Sequence, residues 1–154
     1  MSLTSAFVPK KILIVDDDND DSSLFCEALK EVGPTAICYI AEDGNDALEK
    51  LNNLEIDFPD IIFLDLNMPV MDGWECLNRL KSMDKFKDIP VIIHTTSAQK
   101  LHKKQALSMG ALCFVTKLYD FKKLKSMLSI VIDKLSLNSI DTICETIHTQ
   151  LKLN

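Results

Sequence analysis

Short runs that are apolar at every position alternate with longer segments whose apolar residues recur every third or fourth position, and the alternation repeats five times along the chain. A run such as Ile12-Leu13-Ile14-Val15, apolar on both sides of the pleat, reads as a strand buried on both faces, the habit of parallel sheets. The strands predicted in this way are Lys11 to Val15, Ala36 to Ile40, Ile61 to Leu64, Val91 to His94 and Leu112 to Val115. Each intervening segment is too long for a hairpin turn, so the connections are crossovers and the sheet is parallel.

The first helix places Leu24, Phe25, Ala28, Leu29 and Val32 on one face, and Gly33-Pro34 stops it. Asp18 or Asn19 serves as its N-cap, with Asp20 and Asp21 assigned to favouring its positive end. Helix two carries Ala47, Leu48 and Leu51, and helix three carries Trp74, Leu77 and Leu80. Helix four, around Gln99 to Met109, has the weakest stripe and a lysine-rich surface. Helix five repeats Phe121, Leu124, Leu128, Val131 and Leu135. Beyond Ser136, residues Ile140, Ile143, Cys144, Ile147 and Leu151 fall on one face of a sixth helix capped by Asn138 or Ser139; that stripe reads as local packing. The expected division is an α/β domain over 8–136 and a helical extension over 137–154.

Chemistry gathers at the strand ends. Asp16-Asp17-Asp18 closes the first strand, and crowded carboxylates repel one another unless a counter-charge is supplied. A hard divalent cation removes that conflict; Mg²⁺ takes one or two carboxylates and leaves room for a phosphate oxygen. The third strand ends in Asp65, the fourth in Thr95-Thr96-Ser97 and the fifth in Thr116-Lys117. In a parallel sheet these ends share one edge, where ligand crevices open. A metal pocket, a lone carboxylate nucleophile, a hydroxyl and an ammonium form a phosphoryl-transfer set.

The 154 residues suffice for one ordinary core, and a net charge of −6 makes direct binding to DNA or an anionic membrane a poor expectation. The N-terminus, Met1 to Val8, shows no export signal, and no stretch reaches the length of a membrane span, so a cytoplasmic location is expected. Cys26, Cys38, Cys76, Cys113 and Cys144 are scattered singly, without a C-x-x-C pair; this argues against a disulfide framework or zinc site and for small buried hydrophobes. His94, in a strand, reads as a packed histidine, and His102 and His148 lack metal-ligand spacing.

Four blocks in order now carry a resemblance: Ile14-Val15-Asp16-Asp17-Asp18; Leu64-Asp65-Leu66-Asn67-Met68-Pro69-Val70-Met71-Asp72-Gly73; Pro90-Val91-Ile92-Ile93-His94-Thr95; and Gly110-Ala111 with Phe114-Val115-Thr116-Lys117. Over about residues 10–135 the chain resembles a receiver domain of the response-regulator family of two-component signalling. The resemblance implies a doubly wound five-stranded sheet in the order 2-1-3-4-5. It implies Asp65 as the phosphoacceptor, attacking a phosphohistidine of a histidine kinase or phosphotransfer protein. Asp16, Asp17, Asp65 and the main-chain carbonyl of Asn67 would hold Mg²⁺, and Thr95 and Lys117 would bond the phosphoryl group. Phe114 would swing inward as Thr95 moves, Asp72-Gly73 would shape the turn into helix three, and the face of helix four, strand five and helix five would receive a downstream protein. Too few residues follow helix five for a DNA-binding domain, so output by protein binding or by phosphorelay is expected.

The chain departs from the family where proline usually follows the lysine in a cis peptide. Here Leu118 follows, and because a non-proline cis bond costs about 2.5–4 kcal/mol, a trans Lys117-Leu118 peptide is expected. Asn67 and Ser97, which flank the phosphoryl site in the family, offer no carboxylate to activate water, so a slow to intermediate loss of phosphate is expected. Two rivals fare worse. A haloacid-dehalogenase-like phosphatase needs an acid where Asn67 stands, and a flavodoxin-like binder needs a phosphate loop where Asp16 to Asp18 would repel one. A phosphorylation-independent scaffold is the alternative.

Overall fold

In the computed structural model, which describes residues 8–153, five parallel strands lie side by side: β1 (Lys11–Val15), β2 (Ile37–Ala41), β3 (Ile61–Leu64), β4 (Val91–Thr95) and β5 (Cys113–Thr116), in the order β2-β1-β3-β4-β5. The predicted order and class are therefore found. The N-terminal stretch read as lacking an export signal lies, apart from Val8, outside the described residues. Among the described residues no helix is long and apolar enough to cross a membrane.

Because side chains alternate across a strand, each doubly buried strand feeds two cores. Leu13, Val15, Ile62, Leu64, Val91 and Ile93 face one layer, packed with α2 (Gly44–Asn52), α3 (Gly73–Ser82) and Ala106 of α4 (Lys100–Ser108). Ile12, Ile14, Ile61, Phe63 and Ile92 face the other, packed with α1 (Asn19–Val32), α5 (Phe121–Ser136) and α6 (Ile143–Gln150). Removing side chains such as Phe63 and Ile62 from water stabilises the fold by about 1.5–3 kcal/mol each.

The helix stops and starts follow the expected chemistry. Asp18 caps α1, its carboxylate accepting from the N–H groups of Asp20 and Asp21, and the Gly33 N–H closes the last turn on the Leu29 carbonyl. Asp43, Asp72 and Asp120 cap α2, α3 and α5 in the same way. The weak stripe of α4 is matched by a helix with only Ala106 buried and no side-chain cap. The sixth helix is preceded by a 3₁₀ turn (Ile140–Thr142) with Ser139 at its start, so α6 itself begins after Thr142 and neither Asn138 nor Ser139 caps it. Ile143 and Ile147 are fully buried against the α5 layer, which makes the stripe a packing face.

The cysteine reading is corrected. Cys26 of α1 is disulfide-bonded to Cys38 of β2, and Cys113 of β5 to Cys144 of α6, with Cα separations of 5.9 and 5.2 Å. His148 lies beside the second pair, one helical turn beyond Cys144. Only the crossover topology brings these thiols together, across 12 and 31 residues, so spacing could not show it. Cys76 alone fits the expectation, a buried free thiol whose pKa burial pushes up to about 12.

Candidate functional site

Strand register builds the site. Val15 of β1 pairs with Leu64 of β3, so the next residues, Asp16 and Asp65, emerge side by side. The Asp65 N–H continues the ladder to the Val15 carbonyl at 3.0 Å, and the Asp16 N–H that to Ala41 at 3.0 Å. On the other side of β3, Thr95 ends β4 opposite Thr116 of β5, and the Lys117 N–H donates to the Thr95 carbonyl at 2.7 Å. Carboxylate oxygens of Asp16, Asp17 and Asp65 lie within 4.8 Å of one another.

The Lys117 ammonium sits inside this cluster, 5% exposed, at 2.8 Å from Asp16 Oδ2, 3.2 Å from Asp65 Oδ2 and 2.6 Å from Asp21 Oδ2. Burial opposes its charge, but hydrogen bonds to Asp16 and Asp21 and the charge of Asp65 outweigh it and hold the ammonium above the ordinary lysine range. Burial pushes the Asp16 carboxyl up, against the pull of Lys117 and of the Asp18 N–H. Asp65 Oδ1 accepts from the Leu66 N–H at 2.7 Å and more loosely from the Asn67 N–H at 3.4 Å, while Oδ2 faces the lysine.

The turn after Asp65 is constrained by Gly73. Its N–H donates to the Leu66 carbonyl at 2.9 Å, and a Cβ there would overlap the Asp65 carbonyl oxygen. Glycine thus allows α3 to start against the backbone of Asp65, with Asp72 capping the helix through the Glu75 N–H.

Thr95 is fully buried, and its hydroxyl has no hydrogen-bond partner. Such an orphan costs about 1–3 kcal/mol, and it leaves the hydroxyl free to donate to a group placed at this sheet edge. Phe114 is inward, 5% exposed, among the α2–α4 core residues. The Ser97 hydroxyl is engaged by His102 Nδ1 at 2.7 Å. Among the described residues no peptide is cis, so the Lys117-Leu118 bond is trans, as expected.

Two site features escaped the sequence reading. Asp21 was assigned to the helix N-terminus, whereas its carboxylate reaches Lys117 and the Tyr119 hydroxyl, 3.3 Å away. His94 is packed as expected, but its Nε2 also accepts from the Leu118 N–H at 3.4 Å. A stretch of acids in a first helical turn carries no signal for the first contact, and only the loop geometry shows the second.

The donor set fits a hard divalent cation. Asp16, Asp21 and Asp65 face one ammonium and Asp17 adds a further carboxylate beside Asp16 and Asp65, leaving an excess of negative charge, and the three clustered carboxylates offer oxygen alone, as Mg²⁺ or Mn²⁺ prefers.

Residues 12–129 match the family model described as the response regulator receiver domain, and the chain belongs to that family. It is 34% identical over 123 residues to the response regulator Rcp1 of Synechocystis, covering 77% of this chain and 84% of that protein. It is 31% identical over 109 residues to the sensor histidine kinase CheAY of Helicobacter pylori, covering 71% of this chain but 13% of that one. The chain likewise spans about a third of the protein-glutamate methylesterases it resembles. In structure it is similar to the phosphorylated cyanobacterial phytochrome response regulator RcpA, with a TM-score of 0.77, 28% identity and coverage of 85% and 96% of the two chains. The Mn²⁺-bound form of Rcp1 gives a TM-score of 0.71 at 32% identity, with the same coverage.

Proposed function

We propose that residues 8–136 accept a phosphoryl group on Asp65 from a phosphohistidine of a histidine kinase or phosphotransfer protein, with Mg²⁺ held by Asp16, Asp17, Asp65 and the Asn67 carbonyl. The observation that carries this reading is the Lys117 ammonium shared between Asp16 and Asp65 beside a buried, unpartnered Thr95 hydroxyl. Asp65 is anchored through Oδ1 by the Leu66 N–H. Oδ2 forms the new O–P bond as the P–N bond breaks, and the imidazole leaves with the electron pair. A bound divalent cation supplies positive charge beside the phosphoryl oxygens. Lys117 offsets charge on one of them, and the Thr95 hydroxyl donates to another.

The protein thus promotes only its own phosphorylation and dephosphorylation. Its product is an acyl phosphate that changes which partners the α4–β5–α5 face receives, or that passes on in a relay. Thr95 and Phe114 connect the site to that face. Phe114 is already inward here, the arrangement associated with the phosphorylated form. Residues 137–153 are proposed as a helical extension docked on α5, with Asn154 outside the described residues, and the whole acts in the cytoplasm.

Acetyl phosphate with Mg²⁺ tests the reading. One hydroxylamine-labile phosphoryl group per chain is expected, and no adduct at saturating Mg²⁺ would favour a phosphorylation-independent scaffold.

A further inference from the structure

An ammonium has three N–H donors, and Lys117 has three carboxylate acceptors, one from each of three elements: Asp16 at the end of β1, Asp65 at the end of β3 and Asp21 in the first turn of α1. Two of these acceptors have a second duty, since Asp16 and Asp65 belong to the acidic group able to hold a cation. Asp21 lies outside that group and makes the shortest contact, 2.6 Å. Capping does not explain it, because the Asp18 carboxylate already serves the N–H groups of Asp20 and Asp21. Its Oδ2 also accepts from the Tyr119 hydroxyl, and so ties both ends of the Lys117-Leu118-Tyr119 loop to α1. Between them, the Leu118 N–H is held by His94 Nε2.

We propose that Asp21 is the positioning residue for Lys117, holding one N–H of the ammonium so that another is directed at the phosphoryl oxygens on Asp65 when a cation draws on Asp16. The proposal rests on the receiver reading given above. Tyr119 and His94 support it by fixing a loop whose central peptide is trans. Asp21 touches neither metal nor phosphate; it acts through the lysine, and what it supplies is orientation.

The test compares wild type with Asp21→Ala and Asp21→Asn in three measurements. These are the rate of phosphorylation by acetyl phosphate at saturating Mg²⁺, the urea midpoint with Mg²⁺ affinity, and acetylation of Lys117 by an amine-reactive ester, read by peptide mass. Asp21→Ala is expected to slow phosphorylation about tenfold and to raise Lys117 labelling several-fold, while urea midpoint and Mg²⁺ affinity stay near wild type. Asp21→Asn, which keeps an oxygen acceptor, is expected to lie between. Wild-type rate and labelling in Asp21→Ala overturn the proposal. A loss of rate matched by losses in stability and Mg²⁺ affinity also overturns it, marking a structural role. Failure of the receiver reading shows differently, as no adduct in any variant including wild type; the labelling comparison then decides the placement of Lys117 by itself.

Discussion

The Lys117 ammonium lies nearer to Asp21 of α1, at 2.6 Å, than to Asp65 of β3, at 3.2 Å. It is also the single basic side chain paired with the buried Asp16 and Asp65 carboxylates among the described residues. Removing one partner of a buried ion pair leaves the other charge uncompensated. Lys117→Met is therefore expected to destabilise the protein by about 3 kcal/mol near neutral pH. Mg²⁺ should restore more stability to this variant than to wild type, because a cation replaces the lost charge. Urea titrations with and without Mg²⁺ check this; equal Mg²⁺ effects in the two proteins would contradict it.

His94 sets a pH dependence. Burial first, and then the charge of Lys117, push its pKa from 6.5 down to about 3. The unfolded chain therefore takes up a proton below about pH 6.5 that the folded chain refuses, and stability falls with pH across that window, by up to about 1.4 kcal/mol per unit. Between pH 7 and pH 5 the loss from this residue is about 2 kcal/mol. Comparing urea midpoints of wild type and His94→Val at both pH values isolates it. The variant should lose correspondingly less on acidification, and parallel losses would count against the assignment.

The order of elements was legible because strands buried on both faces leave uninterrupted apolar runs, and because Gly33 and the capping aspartates punctuate the helices. The pocket was legible because Asp16, Asp65, Thr95 and Lys117 each stand at a strand's carboxyl end, which parallel topology brings to one edge. Asp21 was misassigned because its local sequence, acids in a first turn, fits helix electrostatics equally well; its partner lies 96 positions away. The paired cysteines were hidden for the same reason, since Cys113 meets Cys144 only through the packing of α6 on the sheet. The start of α6 was misplaced because a 3₁₀ turn consumes the polar residues that otherwise read as its cap.

Trp74, the only tryptophan in the chain, lines a surface cleft with Asp17, Asn67 and Asp72, and so reports on the acidic pocket. Addition of Mg²⁺ or Mn²⁺ is expected to change its emission saturably, and Asp17→Asn should weaken that response by at least about tenfold without lowering thermal stability. An unchanged titration in the variant would remove Asp17 from the metal site.

The phosphoryl lifetime follows from what stands beside it. Asn67 offers an amide, and the Ser97 hydroxyl is engaged by His102, so neither side chain activates water as a carboxylate would. Slow to intermediate decay is expected after the phosphodonor is removed. Ser97→Glu should hasten it several-fold, as followed by intact mass over time. Rapid decay in wild type would refute this account.

The most direct test of the central claim is the intact mass of wild type and Asp65→Asn after incubation with acetyl phosphate, each with and without Mg²⁺. One phosphoryl group is expected on wild type with Mg²⁺, and none on the variant or without the cation. An adduct of equal yield on Asp65→Asn, or no adduct on wild type whose Mg²⁺ binding is confirmed by Trp74 emission, would contradict the assignment of Asp65 as phosphoacceptor.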